Sequence, residues 1–245
     1  MDETNISDFV AKQPTEVKIE TKDELDTFFE EFLEKDSLFL DKVVLQVKYL
    51  PEIILHRTAQ MKQLAAILAP ALKTDKPSNL FIYGKTGTGK TLCMKHTITK
   101  MNALAESRNI PLRIIYLNCK LKKVADTEYR IIAQLAREVG EHVPMTGLPT
   151  DEVYNIFLTK LDAKKQTIII VLDEIDQIVR KSGDEILYTL TRINSELNQA
   201  QVAFVGISND VRFIEDIDPR VRSSLGEEEI IFPPFTRMKL LSKDS

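Results

Sequence analysis

Eight consecutive residues, Gly84-Lys85-Thr86-Gly87-Thr88-Gly89-Lys90-Thr91, restrict the folds open to this chain more than any other stretch. They follow the short apolar run Asn79 to Tyr83 and open the helix-patterned segment Lys90 to Ser107, so a strand must end and a helix begin across a glycine-rich turn. The pattern GxxxxGK[ST] is complete and stands in the strand–turn–helix context that gives it meaning. Glycine is otherwise scarce. Average usage near 7% would give about 17 in a chain of this length, yet there are 8, and three of them fall in this loop.

Such a loop suits phosphate. Glycines allow the backbone to curl so that successive N–H groups face an anion, and the helix that follows presents its unpaired N–H groups and positive dipole end to the same place. Lys90 is expected to reach β- and γ-phosphate oxygens, and the Thr91 hydroxyl to ligate Mg²⁺. Gly84, Lys85, Thr86, Gly87, Thr88, Gly89, Lys90, Thr91 and Leu92 form the expected cofactor-binding stretch for ATP or ADP.

A second run, Ile168-Ile169-Ile170-Val171-Leu172-Asp173-Glu174, reads as a fully buried strand that delivers two carboxylates to its C-terminal end, the edge where open α/β sheets bind ligands. Asp173 would hold Mg²⁺ with Thr91, and Glu174 would polarise an attacking water. Strand Val202 to Ile207 ends in Ser208-Asn209-Asp210, and Asn209 is placed to contact a γ-phosphate or orient water. The catalytic set is therefore Glu174, Lys90 and Asn209. Because P-loop kinases for small molecules need no such base, the pair Asp173-Glu174 favours hydrolysis over phosphate transfer to a substrate.

The remaining chain alternates. After an extended connection over Tyr49 to Arg57, a helix pattern to about Ala69 (burying Met61, Leu64, Ala65 and Leu68) and others near Thr127 to Val139, Asp151 to Lys164 and Asp184 to Gln199 accompany strands Leu112 to Asn118, Thr167 to Leu172, Val202 to Ile207 and Glu229 to Phe232. Short apolar strands joined by helices predict an α/β chain: a three-layer P-loop NTPase fold around a five-stranded parallel sheet. Residues 1–20 read as a disordered acidic tail and 21–48 as an amphipathic helix with a linker, its face formed by Leu25, Phe28, Phe29, Phe32 and Leu33. That face packs on its own domain or on a partner. Residues 49–235 make the core and 236–245 a short tail.

The net charge of -4 is unevenly shared: residues 1–40 carry 12 acids against 4 lysines, leaving 25 acids and 29 bases in the rest. No apolar run approaches the roughly 18 residues of a membrane-spanning helix, the N-terminus lacks a secretory pattern, and Cys93 and Cys119 suit a reducing compartment as buried thiols. The expectation is a soluble cytoplasmic protein without membrane partners.

Three separated stretches, "YLPEIILHR" (Tyr49 to Arg57), "PSNLFIYGKTGTGKT" (Pro77 to Thr91) and "GISNDVRFIEDIDPRVRSSLGEEEIIFPP" (Gly206 to Pro234), resemble the archaeal DNA replication initiators of origin-recognition and cell-division-cycle type within the AAA+ ATPases of the ASCE class. The resemblance implies an ATP-dependent switch that recognises double-stranded origin DNA, works with other initiator subunits and helps load the replicative helicase. It implies that Ile54, His56 and Arg57 line the adenine pocket and that Phe235 approaches the nucleotide. The insert around Tyr129, Arg130 and Arg137 would touch DNA, although Ile131, Ile132 and Leu135 equally fit a helix packed on the core. Lys120, Lys122 and Lys123 fit phosphate contacts or a solvated face. Arg220 or Arg222 would be the arginine finger, or be structural, since Ser224 occupies the place where the family usually has that arginine. Relatives usually carry Tyr at the Phe235 position.

The sequence stops at Ser245, before the segments that form the helical lid and winged helix in the family. Two functions are open to such a chain: an active initiator ATPase, or a catalytically weak paralogue that binds nucleotide and acts as a binding or regulatory module. A P-loop kinase or signalling NTPase is the third class, disfavoured by the adenine segment and Asn209.

Overall fold

A computed structural model describes residues 51, 54–120, 127–144 and 146–235, together with Leu25. The expected tail and Phe-rich helix of residues 1–48, Leu25 excepted, lie outside the described residues, as do Lys122, Lys123 and residues 236–245. The chain divides into two units between Tyr49 and Leu50, and the described residues other than Leu25 all belong to the second.

Five strands, β1 (Leu80–Tyr83), β2 (Leu112–Asn118), β3 (Thr167–Asp173), β4 (Gln201–Ser208) and β5 (Glu228–Ile231), form one parallel sheet in the order β2-β3-β4-β1-β5. The helices are α1 (Thr58–Leu68), α2 (Lys90–Ser107), α3 (Glu128–Glu138), α4 (Thr150–Leu161), α5 (Asp176–Ser182), α6 (Glu185–Arg192), α7 (Phe213–Asp216) and α8 (Pro219–Leu225), with a 3₁₀ turn over Ala69–Lys73 and another over Ile193–Ser195. The parallel five-stranded architecture read from the sequence is the one observed.

The pleat explains why β3 is apolar throughout. Ile168, Ile170 and Leu172 enter one cluster with α3, α4, α5, α6 and α8, while Ile169 and Val171 enter another with α1 and α2. Two apolar layers thus clamp the sheet, and each fully buried side chain contributes roughly 1.5–3 kcal/mol relative to exposure. Cys93 and Cys119 are both free and buried, as expected.

Helix limits differ from the sequence reading in three places. The segment Asp184 to Gln199 is not one helix: after Arg192 the chain turns, because the Asn194 amide donates to Val202 O at 2.6 Å and its oxygen accepts from Val202 N at 2.8 Å. Short α5 and α8 have no counterpart among the helix patterns of the sequence. Ala65 is exposed, since α1 turns only Leu64 and Leu68 fully inward.

Gly206 shows how tightly the layers meet. A Cβ there would lie 2.7 Å from Ile175 Cδ1 and 3.2 Å from Leu225 Cδ1, so any larger residue would have to displace the tips of Ile175, just before α5, and of Leu225 in α8.

Candidate functional site

The register aligns the strand ends. Tyr83 pairs with Ser208, Ile207 with Asp173, and Asp173 with Asn118, so the P-loop, the Asp173-Glu174 pair and Asn209 leave the sheet along one edge. Because β4 lies between them, the ends of β1 and β3 stand about two strand spacings, roughly 10 Å, apart. The first turn of α2 closes that gap: Thr91 Oγ1 donates to Asp173 Oδ2 at 2.7 Å.

The loop is shaped by its own contacts. Thr88 Oγ1 donates to Lys85 O at 2.8 Å. Lys90 is 3% exposed, and its ammonium donates to Gly84 O at 2.7 Å and Lys85 O at 3.0 Å. Burial lowers its pKa, and the nearby Asp173, Asp176 and Glu174 charges oppose that shift. The first helical bond of α2 runs from Cys93 N to Gly89 O, so the N–H groups of Lys90, Thr91 and Leu92 have no intrahelical acceptor. Gly84 has a second requirement besides the turn: a Cβ would sit 2.3 Å from Phe232 O, where the exit of β5 crosses the loop.

Asp173 is 1% exposed. Its Oδ2 accepts from Thr91 and from Tyr116 OH, the latter at 2.6 Å, and Cys119 N donates to its carbonyl at 2.8 Å. Burial, then the Asp173 charge, pushes the Tyr116 phenol strongly upward, so it stays a donor. Glu174 follows with φ 59°, a left-handed conformation that costs a residue with a Cβ on the order of 1–3 kcal/mol. The turn separates the roles of the two acids: Asp173 stays in the edge, and Glu174 faces Lys120, whose Nζ lies 3.6 Å from Glu174 Oε2. Lys120, read from sequence as a phosphate contact or a solvated lysine, is an ion-pair partner of this acid.

Asn209 follows the last residue of β4, and its backbone N donates to Asp176 Oδ1 at 3.3 Å. Asp176, 3% exposed, also accepts from Ser208 Oγ at 3.2 Å. Sequence reasoning passes over this buried acid because Asp173-Glu174, just before it, dominates the stretch. The signal available is a third carboxylate at the start of a helix. Tyr116 escapes it too, being indistinguishable in the sequence from any strand aromatic.

On the other wall, Arg57 is 4% exposed. Its Nη2 donates to Pro233 O at 2.7 Å, and its guanidinium lies 4.0 Å from the Phe235 ring centroid and 5.5 Å from that of Phe232. Burial lowers its pKa. Arg57 Nε has no hydrogen-bond partner among the described residues, a spare buried donor beside the loop. Ile54 packs partly buried on the same cluster, and His56 adopts φ 59°. Arg57 and Phe235 therefore meet close to Phe232, the residue whose backbone crosses Gly84 at the start of the P-loop.

Of the residues expected at DNA or as the finger, Tyr129, Arg137 and Arg220 make contacts within the fold. Ile131, Ile132 and Leu135 are buried, Tyr129 OH donates to Pro144 O at 2.9 Å, and Arg137 Nε donates to Val143 O at 2.9 Å; these side chains fasten the loop after α3. Arg220 pairs with Asp218 at 2.9 Å and lies 5.0 Å from the Tyr188 ring centroid. Arg222 is exposed, and no hydrogen bond or ion pair engages its side chain among the described residues.

A nucleoside triphosphate fits these groups: a glycine-rich loop ending in helix N–H groups without intrahelical acceptors, a buried ammonium, the spare Arg57 donor and two acids. No cluster of three or more His, Cys, Asp or Glu that could hold a metal ion by itself occurs among the described residues. A hydroxyl beside one carboxylate matches Mg²⁺, which keeps several waters and takes its other ligands from phosphate. Among the described residues, no helix is long and apolar enough to cross a membrane.

A family profile described as "AAA domain" matches residues 73–214. This chain belongs to the AAA domain family. The AAA fold here is similar to the ORC1-type DNA replication protein 1 of Methanosarcina mazei, at 49% identity over 211 residues covering 86% of this chain and 50% of that protein. The ORC1-type DNA replication protein of Pyrococcus furiosus is 49% identical over 220 residues, covering 88% and 52%. The solved Aeropyrum pernix ORC1 protein in complex with DNA matches with a TM-score of 0.74 at 43% identity, covering 80% of this chain and 50% of that one. The chain spans about half the length of the curated relatives it matches. The resemblance to archaeal replication initiators drawn from the three sequence stretches is borne out.

Proposed function

We infer that this AAA chain is the nucleotide-binding part of a DNA replication initiator, binding ATP with Mg²⁺ and hydrolysing it slowly to ADP and phosphate. The observation that carries the reading is the meeting of Lys90, Thr91, Asp173 and Glu174 at one sheet edge. Lys90 exchanges its two carbonyl acceptors for β- and γ-phosphate oxygens. Thr91 and Asp173 would hold Mg²⁺, which would supply positive charge to offset the negative charge of the phosphates. Glu174 takes a proton from the attacking water once it has left Lys120, and Asn209 orients the γ-phosphate side. Ile54, His56, Arg57 and Phe235 receive the base end.

Double-stranded origin DNA, other initiator subunits and the replicative helicase are the partners of this reading; the names of the relatives support a part in DNA replication, and the DNA in the Aeropyrum pernix complex supports the DNA partner. The domain plan that goes with it is an acidic tail (1–20), a Phe-rich helix and linker (21–48), the core (49–235) and a tail (236–245).

The test compares Mg-ATP turnover and duplex binding for the chain, Glu174→Gln and Lys90→Ala. Turnover falls about 10²-fold or more in Glu174→Gln, the loss expected of a general base, while ATP binding persists. Equal, negligible turnover in all three overturns hydrolysis.

A further inference from the structure

We propose that Tyr116 is a positioning residue for the cation site, fixing the Asp173 carboxylate so that one oxygen stays presented to Mg²⁺. This rests on the nucleotide reading above and adds a residue to it.

Tyr116 stands on β2 and pairs with Val171, and Asp173 lies two residues further along β3, a diagonal that long aromatic side chains can span. Its phenol therefore arrives at Asp173 from the β2 side, while Thr91 arrives from α2. Both hydroxyls donate to the same atom, Oδ2, at 2.6 and 2.7 Å. Asp173 Oδ1 accepts no hydrogen bond among the described residues. An ionised carboxylate can accept about four bonds, so the two donors occupy one oxygen and leave the other for an incoming ligand.

Two donors on one oxygen, held by different elements, also resist rotation of the carboxylate. With Thr91 alone the group could swing about its last bond; the second tether removes that freedom. The tether is itself fixed. The ring packs against the cluster between sheet, α1 and α2, and the Lys95 ammonium lies 5.0 Å from its centroid. The Thr91 hydroxyl can keep its hydrogen on Asp173 while its lone pair faces a cation, so occupancy of the site leaves the Tyr116 contact in place. Partners that orient a metal-binding carboxylate in this way typically contribute about 10- to 100-fold to metal affinity.

The variant that isolates this role is Tyr116→Phe, which removes one hydroxyl and keeps the ring. Binding of a fluorescent ATP analogue is titrated with Mg²⁺ in the full chain and in the variant, and repeated in EDTA, with thermal melting as a check of folding. The expected result is a Mg²⁺ requirement raised about 10-fold or more, with EDTA affinity unchanged. Superimposable Mg²⁺ titrations overturn the role of Tyr116 alone. Equal weakening with and without Mg²⁺ also overturns it, because that marks a general packing effect. If the unsubstituted chain does not bind the analogue, the nucleotide reading falls and the role of Tyr116 with it; if it binds the analogue without any Mg²⁺ dependence, nucleotide binding stands and the cation site, with the role of Tyr116, is overturned.

Discussion

The two edges of the sheet handle polar groups in opposite ways. At the N-terminal edge the buried polar groups are saturated. Asn79, 2% exposed, donates through Nδ2 to Ser224 O at 2.8 Å and accepts from Phe204 N at 2.9 Å, while its backbone N donates to Glu227 Oε2 at 2.8 Å. Near that edge the half-buried Asp162 is saturated as well, accepting from the backbone N–H groups of Ala200, Asn198 and Gln199. At the C-terminal edge capacity is held in reserve: an ammonium resting on carbonyls, an open Asp173 oxygen, a partnerless Arg57 Nε and a left-handed Glu174. Similar burial at Asn79 and at Lys90, 2% and 3% exposed, thus accompanies two purposes. Saturated polar groups fix loops that must not move, and under-used ones wait for a ligand that completes them.

This contrast breaks if substitutions at the two edges behave alike. The largest separation is expected for Lys90→Ala, which removes charge-assisted phosphate contacts and lowers nucleotide affinity about 100-fold or more, read by fluorescence titration, with little change in melting. Asn79→Ala should do the reverse. It strands the buried Phe204 N–H and the Ser224 carbonyl, costs about 3 kcal/mol of stability in urea denaturation, and leaves nucleotide affinity of the folded fraction intact. Gly206→Ala tests the packing between the edges: the methyl meets Ile175, and about 1–3 kcal/mol of stability is lost.

The smallest effect concerns acid. Backbone N–H groups of Ala200, Asn198 and Gln199 lower the Asp162 carboxyl from 3.8 to about 2. A carboxyl depressed on folding stabilises the protein above its unfolded value, near pH 4, and that contribution fades as pH falls towards 2. Asp162→Asn should flatten this part of the urea-midpoint profile between pH 4 and 2 and leave nucleotide binding untouched; an unchanged profile would remove Asp162 from the saturated edge.

Legibility in the sequence divides along the same line. The strands β1 to β4 are legible because each is a mostly apolar run between turn residues, β5 through Ile230-Ile231 ahead of Pro233-Pro234, and the P-loop because its chemistry is local: eight adjacent residues suffice. Asp173-Glu174 is legible because the acids abut their strand. Tyr116, Asp176 and Lys120 act through contacts between separate elements, from β2 to β3, from α5 to β4 or from one strand end to the next, and no local pattern marks a residue whose partner lies elsewhere in the sheet. The helix pattern at Asp184 overruns the real helix because the bond pair between Asn194 and Val202 is likewise non-local. Arg220 looks available in sequence and is held by Asp218, two residues before it.

The strand order has a consequence for synthesis. Both neighbours of β1, namely β4 and β5, come after it in the chain by more than a hundred residues. β2 and β3, adjacent in the sheet, can pair before β4 has emerged, but until then the strand that leads into Lys90 has no edge to join. Closing such distant contacts is slow compared with local helix formation. The pocket is therefore completed late, and a nascent chain cannot close its phosphate loop against Asp173 until β4 has emerged to stand between them.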